Sequence, residues 1–507
     1  MHEFNDLDRK VVPRWRSFGA AVRFGEVRSL SPTLDESSIP ASNLDELLED
    51  WRRVPGVTVA SEVLAAAIAL GHIGQVRDVA QFLCSAEGVP ASVGALAEQC
   101  VAGGIPDRSR LFETHYDGSV VDDISAGIGQ ARRSLRQSPI NPVLWTNLAL
   151  MYTIRGHRTK AARAIQVALQ LAPNNRFVVR AAARFYLHIK DLDRAHACFT
   201  SSSSLRGDPW LLSGEIAVAS IKGRPSRHIK RAKRSLDQEQ HSPFHASELC
   251  ASLATLEAWS GRQRKARGYC EQALADPAEN SVAQAAWLER NANVRLPRQF
   301  DADQSTEARA WAAARLGEWT TALESARNWQ EEQPFSSRPA LLGGNLALNL
   351  GDYEQAERIM VPSAVCNPSD FTLVNNLAFA LALQDKADVA QQRLDSVDWA
   401  STTVNQQICL TATQGLVLYR GGQAEMGRTR YEEAIRLAQK ARSPELEANA
   451  KVHLAAEEAR IGRGPDVDGL IDEARGLAEA MPAPFSETRR AHLERCIALG
   501  RGDDAAT

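Results

Sequence analysis

Four ionisable side chains recur at every fourth position of one stretch: Arg176, Arg180, Arg184 and His188. Four residues advance a helix by about 400°, so each step drifts only about 40° and the row winds slowly along one flank. Val179, Ala182, Ala183 and Tyr186 form the opposite, apolar side. The pattern predicts an amphipathic helix with its arginines pointing outward. Guanidinium groups in such a row suit carboxylates or phosphates, held through charge-assisted hydrogen bonds. A second set is neutral: Asn345, Asn349, Asn375 and Asn376. A carboxamide both donates and accepts, so spaced asparagines can grip peptide backbone whatever its sequence.

Catalytic chemistry has no comparable signal. The chain contains no GxxxxGK[ST] loop, GxGxxG, HExxH or GxSxG. His241 and His245 are four apart, but Pro243 lies between them and argues against a helix aiming both at zinc. Asp301 and Asp303 read as a solvated acidic loop. No catalytic residue, metal ligand or cofactor is expected, and the chain reads as a non-enzyme.

Charge is distributed unevenly. Residues 130–275 hold 24 Lys/Arg and 9 Asp/Glu, a net of +15. The remainder holds 35 Lys/Arg and 53 Asp/Glu, a net of -18, so an overall charge of -3 hides a basic middle between acidic ends. The densest basic run is Lys222–Arg234, which reads either as a solvated surface or as an anion-binding patch. Eight cysteines without a CxxC pair read as small buried residues of a reducing cytoplasm. No apolar run approaches the roughly 20 residues of a membrane span, and the start lacks the apolar core of a secretory signal.

These side chains need elements to position them, and the stretch 142–175 supplies the rule. Counting Pro142 as 1, Trp145 stands at 4, Leu148 at 7, Ala149 at 8 and Tyr152 at 11. Gly156 follows at 15, Ala161 at 20, Ile165 at 24, Ala168 at 27 and Pro173 at 32. The pattern closely resembles the tetratricopeptide repeat, a helical hairpin of about 34 residues. Successive starts fall at 142, 176, 210 and 247, then at 303, 337, 371, 408 and 448. The resemblance implies an all-α chain, an α-α superhelix of stacked hairpins in two arrays, because one hairpin leaves an apolar side that its neighbour must cover. The expected divisions are an irregular leader at 1–40, a helical region with weak repeats at 41–121 and a first array at 122–294. A junction at 295–302, a second array with its closing helix at 303–499 and a tail at 500–507 complete them. The leader is expected to be frayed, a docking segment being the alternative. Trp145 is expected to pack between neighbouring repeats.

In that family positions 5 and 9 of the first helix face a concave groove, and here they are Arg180 and Arg184. Asn147, at position 6 of the preceding repeat, should sit beside them. The family's Lys-and-Asn carboxylate clamp is not reproduced, so the resemblance carries over a groove and not a chaperone partner. It implies a non-catalytic cytoplasmic adaptor whose groove holds a protein segment, acidic or extended, with no membrane contact. Reversing Arg180 and Arg184 to glutamate is then expected to weaken binding and spare the fold. Two alternatives stay open: a nucleic-acid-binding repeat protein using the basic region 130–275, and a regulatory subunit of a separate enzyme in a bacterial stress or defence operon.

Overall fold

The computed structural model describes residues 10–15 and 42–501 apart from short stretches, the longest being 104–119. The rest of the leader and the residues after 501 lie outside the described residues. Regular structure is helical throughout, with no strand among the described residues. None of the described helices is long and apolar enough to cross a membrane.

Helices α1 (Ser42–Arg53), α2 (Val57–Leu70), α3 (Arg77–Ser85) and α4 (Ala91–Val101) enclose their own core of Leu44, Val63, Leu64, Val79 and Leu83. Helix α5 (Val120–Gln137) precedes the hairpin α6 (Pro142–Ile154) and α7 (Arg158–Leu171). The hairpins α8 (Arg176–His188) with α9 (Leu192–Thr200) and α10 (Pro209–Ile221) with α11 (Ile229–Asp237) follow. Next come α12 (Pro243–Trp259) with α13 (Gln263–Ala273), then α14 (Glu279–Ala292), which leads into the non-helical stretch 293–297 instead of a second helix.

After it come the hairpins α15 (Thr306–Leu316) with α16 (Trp319–Glu332) and α17 (Ser337–Asn349) with α18 (Tyr353–Cys366). The hairpins α19 (Phe371–Leu383) with α20 (Ala387–Asp395) and α21 (Val404–Arg420) with α22 (Ala424–Lys440) continue the series. The last pair is α23 (Pro444–Ile461) with α24 (Val467–Glu479), and α25 (Phe485–Arg501) packs on α23. The hairpins are tetratricopeptide-like. The chain divides into two compact units, residues 4–308 and 309–507.

Local chemistry sets the helix boundaries. Asn141, Asn175, Asp208, Ser242 and Asp370 each stand before a first helix and accept hydrogen bonds from its opening amides. Proline follows three of them, at 142, 209 and 243, where the missing N–H costs nothing. Position 15 ends the first helix. There Gly156, Gly261, Gly317, Gly351, Gly422 and Gly462 all adopt positive φ, between 64° and 79°. Two repeats that lack this glycine keep the conformation anyway, with Lys190 at φ 63° and Asp385 at φ 58°, while the repeat starting at 210 places it one residue earlier, at Gly223 with φ 68°. At position 8, a Cβ added to Gly344 would lie 2.6 Å from Met360 Cγ, so the hairpin α17–α18 closes only over a residue without one.

Trp145 is half-buried rather than enclosed. It packs against Ala131 and Leu135 of α5, and its indole N–H donates to the Pro139 carbonyl at 2.8 Å. Six of the eight cysteines are buried, and burial pushes five of these thiols, at Cys198, Cys250, Cys270, Cys366 and Cys496, up to about 12.

The left-handed Lys190 carries a steric cost that glycine would not. Lys190→Gly is expected to raise the stability of the first unit by about 0.5–1 kcal/mol, the relief of strain exceeding the extra freedom of the unfolded chain. Asp385→Gly should gain less, because Asp385 also accepts from Arg420 Nη1 at 2.9 Å. Urea unfolding followed by circular dichroism checks both.

Candidate functional site

Helix α8 carries the row of ionisable side chains, and its first two members turn inward. Arg176 is buried and its Nε donates to Asp208, the residue that also caps α10. Arg180 is only 7 % exposed. Its two terminal nitrogens donate to the two oxygens of Glu248 on α12, at 2.9 and 3.0 Å. Nη1 donates as well to the Trp210 carbonyl at 3.2 Å, and the guanidinium lies 4.8 Å from the Trp210 ring centroid. Arg184 and His188 are half-buried, and Asn147 on α6 is buried.

The expected outward orientation is therefore corrected for Arg176 and Arg180. The periodicity of α8 could not show carboxylates contributed 32 and 68 residues downstream. A buried guanidinium is tolerated only with such a partner. Arg180→Glu would place a second carboxylate against Glu248, so it is expected to disrupt the fold and not merely a binding surface.

The polar row continues past Glu248. Its Oε1 accepts from Asn280 Nδ2 on α14 at 3.1 Å, and the same amide nitrogen donates to the Val12 carbonyl at 2.9 Å. The leader thus enters the site. Lys10–Trp15 runs in an open, non-helical conformation with Val11, Pro13 and Trp15 buried. Val11, 1 % exposed, joins the cluster of Ala246, Cys250, Ala251 and Ala273. The Trp15 ring meets Phe185 of α8 edge-on at 6.3 Å, and Lys10 Nζ stands 4.7 Å over the Trp259 ring. Arg14 is shared between Glu279 and Glu307, the second contact being 3.1 Å. A frayed leader does not describe these six residues. The run KVVPRW does not alternate apolar with polar residues, so nothing in the sequence signalled this alternate burial.

A different surface gathers cations that form no ion pair among the described residues. Arg132 and Arg136 of α5 and Lys160 and Arg163 of α7 rim a cavity of about 370 Å³ floored by Leu135, Trp145, Leu148, Tyr152 and Ala164. Among the described residues no carboxylate lines it. Lys160 Nζ lies 5.8 Å from the Tyr152 ring centroid, while among the described residues nothing pairs with Arg132, Arg136 or Arg163. These residues belong to the basic middle of the sequence, yet lie on two different helices, so no single-helix period marks them. In the dense run 222–234, Lys222 pairs with Asp193 at 2.6 Å and Lys233 with Glu257 at 2.6 Å.

In the second unit three of the four asparagines are wired to one another. Asn376 Nδ2 donates to Asn345 Oδ1 at 2.7 Å, and Asn375 Nδ2 donates to Asn376 Oδ1 at 3.3 Å. Asn375 Oδ1 is buried without a hydrogen-bond partner among the described residues, and Asn349 is half-buried. Glu457, His492 and Cys496 bring potential metal-ligating atoms within 4.8 Å of one another. The Glu457 oxygens, however, already accept from Arg420 at 2.9 and 2.7 Å. With that guanidinium beside it, the cluster suits an ion pair better than a metal cation. Tyr353 Oη lies 3.3 Å from His492 Nδ1, and the His453 and His492 rings are 5.3 Å apart. Burial, reinforced by Arg489, holds both imidazoles neutral: His453 well below its ordinary value and His492 down to about 3.

No protein-family model matches the chain, and no curated protein matches it. Solved structures that align with it include the APC/C hetero-tetramer Cut9-Hcn1, at 11% identity and TM-score 0.34, covering 90% of this chain and 92% of that one. Yeast Tom70 aligns at 14% identity and TM-score 0.26, covering 76% and 94%. The human IFIT1 dimer with PPP-AAAA aligns at 13% identity and TM-score 0.29, covering 91% and 95%. At these scores the alignments carry no argument about function, and the fold rests on the hairpins and register described above.

The two buried histidines make the second unit sensitive to acid. Between about pH 6.5 and the depressed folded values, the unfolded chain takes protons that the folded unit refuses, so stability falls as pH falls. Each imidazole contributes up to about 1.4 kcal/mol per pH unit in that window. Urea unfolding at pH 7 and pH 5 should show the loss, and His453→Gln with His492→Gln should flatten it. An unchanged slope in the double variant would remove the histidines as its cause.

Proposed function

We propose that this chain is a non-catalytic protein-interaction scaffold that takes an anionic segment of a partner protein at its basic first array. The observation that carries this reading is the cleft between α5 and α7. Four cations surround an apolar and aromatic floor there, with no carboxylate among the lining residues. Like charges gathered without counter-ions repel, and an acidic segment relieves that repulsion while its apolar side chains cover the floor. Arg176 and Arg180 hold the scaffold together in this reading, while Arg184, His188 and Asn147 remain candidates for flanking contacts. In the second unit, Asn345, Asn349, Asn375 and Asn376 are the proposed backbone-gripping row.

A labelled peptide of six glutamates and one phenylalanine, and an oligonucleotide of equal charge, serve as probes. The full chain should bind the peptide, more weakly as salt rises. Arg132→Glu with Arg136→Glu should weaken it at least about tenfold at unchanged helicity, the loss of two charge-assisted contacts. Preference for the oligonucleotide would favour the nucleic-acid reading. Equal peptide binding by both proteins would overturn the proposal.

A further inference from the structure

Lys10–Trp15 touches the first unit as a bound peptide would. Its surroundings come from five helices: Phe185 of α8, Trp259 and the Ala246–Ala251 surface of α12, Ala273 of α13, Glu279 and Asn280 of α14, and Glu307 of α15. Each of the three recognition elements has a distinct chemistry. Asn280 reads backbone through the Val12 carbonyl, a contact indifferent to side chain. Glu279 and Glu307 take a guanidinium between them, and both are buried. Apolar recesses receive Val11 and Trp15, each 1 % exposed. Pro13 keeps the preceding residue out of the helical region, leaving backbone open for such contacts. The side chains forming this seat all belong to the helices of the array. The segment's place in the chain precedes α1 by 26 residues.

We propose that Lys10–Trp15 is an intramolecular ligand, occupying a seat that a partner protein's segment of the same chemistry takes in trans. That partner segment carries an arginine with apolar residues three before, one before and one after it. The leader and partner compete, so the leader sets the threshold for binding. The charge on this face runs opposite to that of the α5–α7 cleft. The seat uses none of the cleft's residues, so either reading can fail alone.

The probe is the labelled peptide DRKVVPRWRS, residues 8–17, titrated against the full chain. Arg14→Glu with Trp15→Ala places a third carboxylate beside Glu279 and Glu307 and empties the Phe185 recess, vacating the seat. The variant should bind the peptide at least about tenfold more tightly than the native chain, whose seat is open for only a fraction of the time. A peptide with the central arginine replaced by glutamate should bind neither. A variant of unchanged helicity and thermal midpoint that binds no tighter would overturn the proposal. Hydrogen exchange on the native chain decides the matter if the variant misfolds. Amides 11, 12, 14 and 15 should lose protection at millimolar peptide, and persistent protection would make the segment core rather than ligand. Light scattering showing leaders exchanged between two copies would also overturn it.

Discussion

A guanidinium removed from water needs a carboxylate aimed at it, and the first unit is arranged around one such pair. Arg180 on α8 and Glu248 on α12 meet through a two-bonded fork over Trp210, though 68 residues separate them. A slip of one helix by a single turn would part the fork and leave two charges buried, an error worth several kcal/mol. Glu248 hands the constraint on to Asn280, and Asn280 to the Val12 backbone. The second unit repeats the device with other residues. Arg420 bridges Glu457 and Asp385, while Arg428 and Tyr419 both reach Glu458. Apolar packing between small residues closes each hairpin, and these buried pairs tie one hairpin to another.

What the sequence disclosed follows the range of the interactions concerned. Helix ends were legible because their causes lie within a few residues: a capping Asn or Asp, a proline, a glycine able to turn left-handed. Even the repeats without that glycine could be placed, since Lys190 and Asp385 occupy its slot by count. Side-chain direction was legible only where the surrounding chemistry was local. The apolar face of α8 could be read from its period, but the fate of Arg176 and Arg180 depended on Asp208 and Glu248 in later hairpins. The basic cleft stayed hidden for the same reason, its cations being divided between α5 and α7. The leader offered least. Six residues hold too little periodicity to announce a seat that side chains more than 160 positions away create.

The resulting molecule presents two chemistries on one unit. Cations without an ion-pair partner among the described residues rim a surface cleft, while buried carboxylates hold an arginine from the chain's own leader. If the proposed function holds, such a chain would discriminate between partner segments by the sign of their charge, with backbone contacts adding affinity common to either. The titratable groups in the interior of the second unit are held in neutral or paired forms by burial and by arginine. That arrangement fits structural roles for them.

The most direct test of the account is a double-mutant cycle on Arg180→Met and Glu248→Met, read from urea unfolding of the full chain. If the pair is the buried constraint described, each single change should cost about 3–5 kcal/mol by stranding its partner. The double change should cost much less than their sum, leaving a coupling of about 2 kcal/mol or more. Single costs below about 1 kcal/mol that simply add would be those of an exposed pair. That result would contradict the burial of Arg180 against Glu248 on which the packing of the first unit depends.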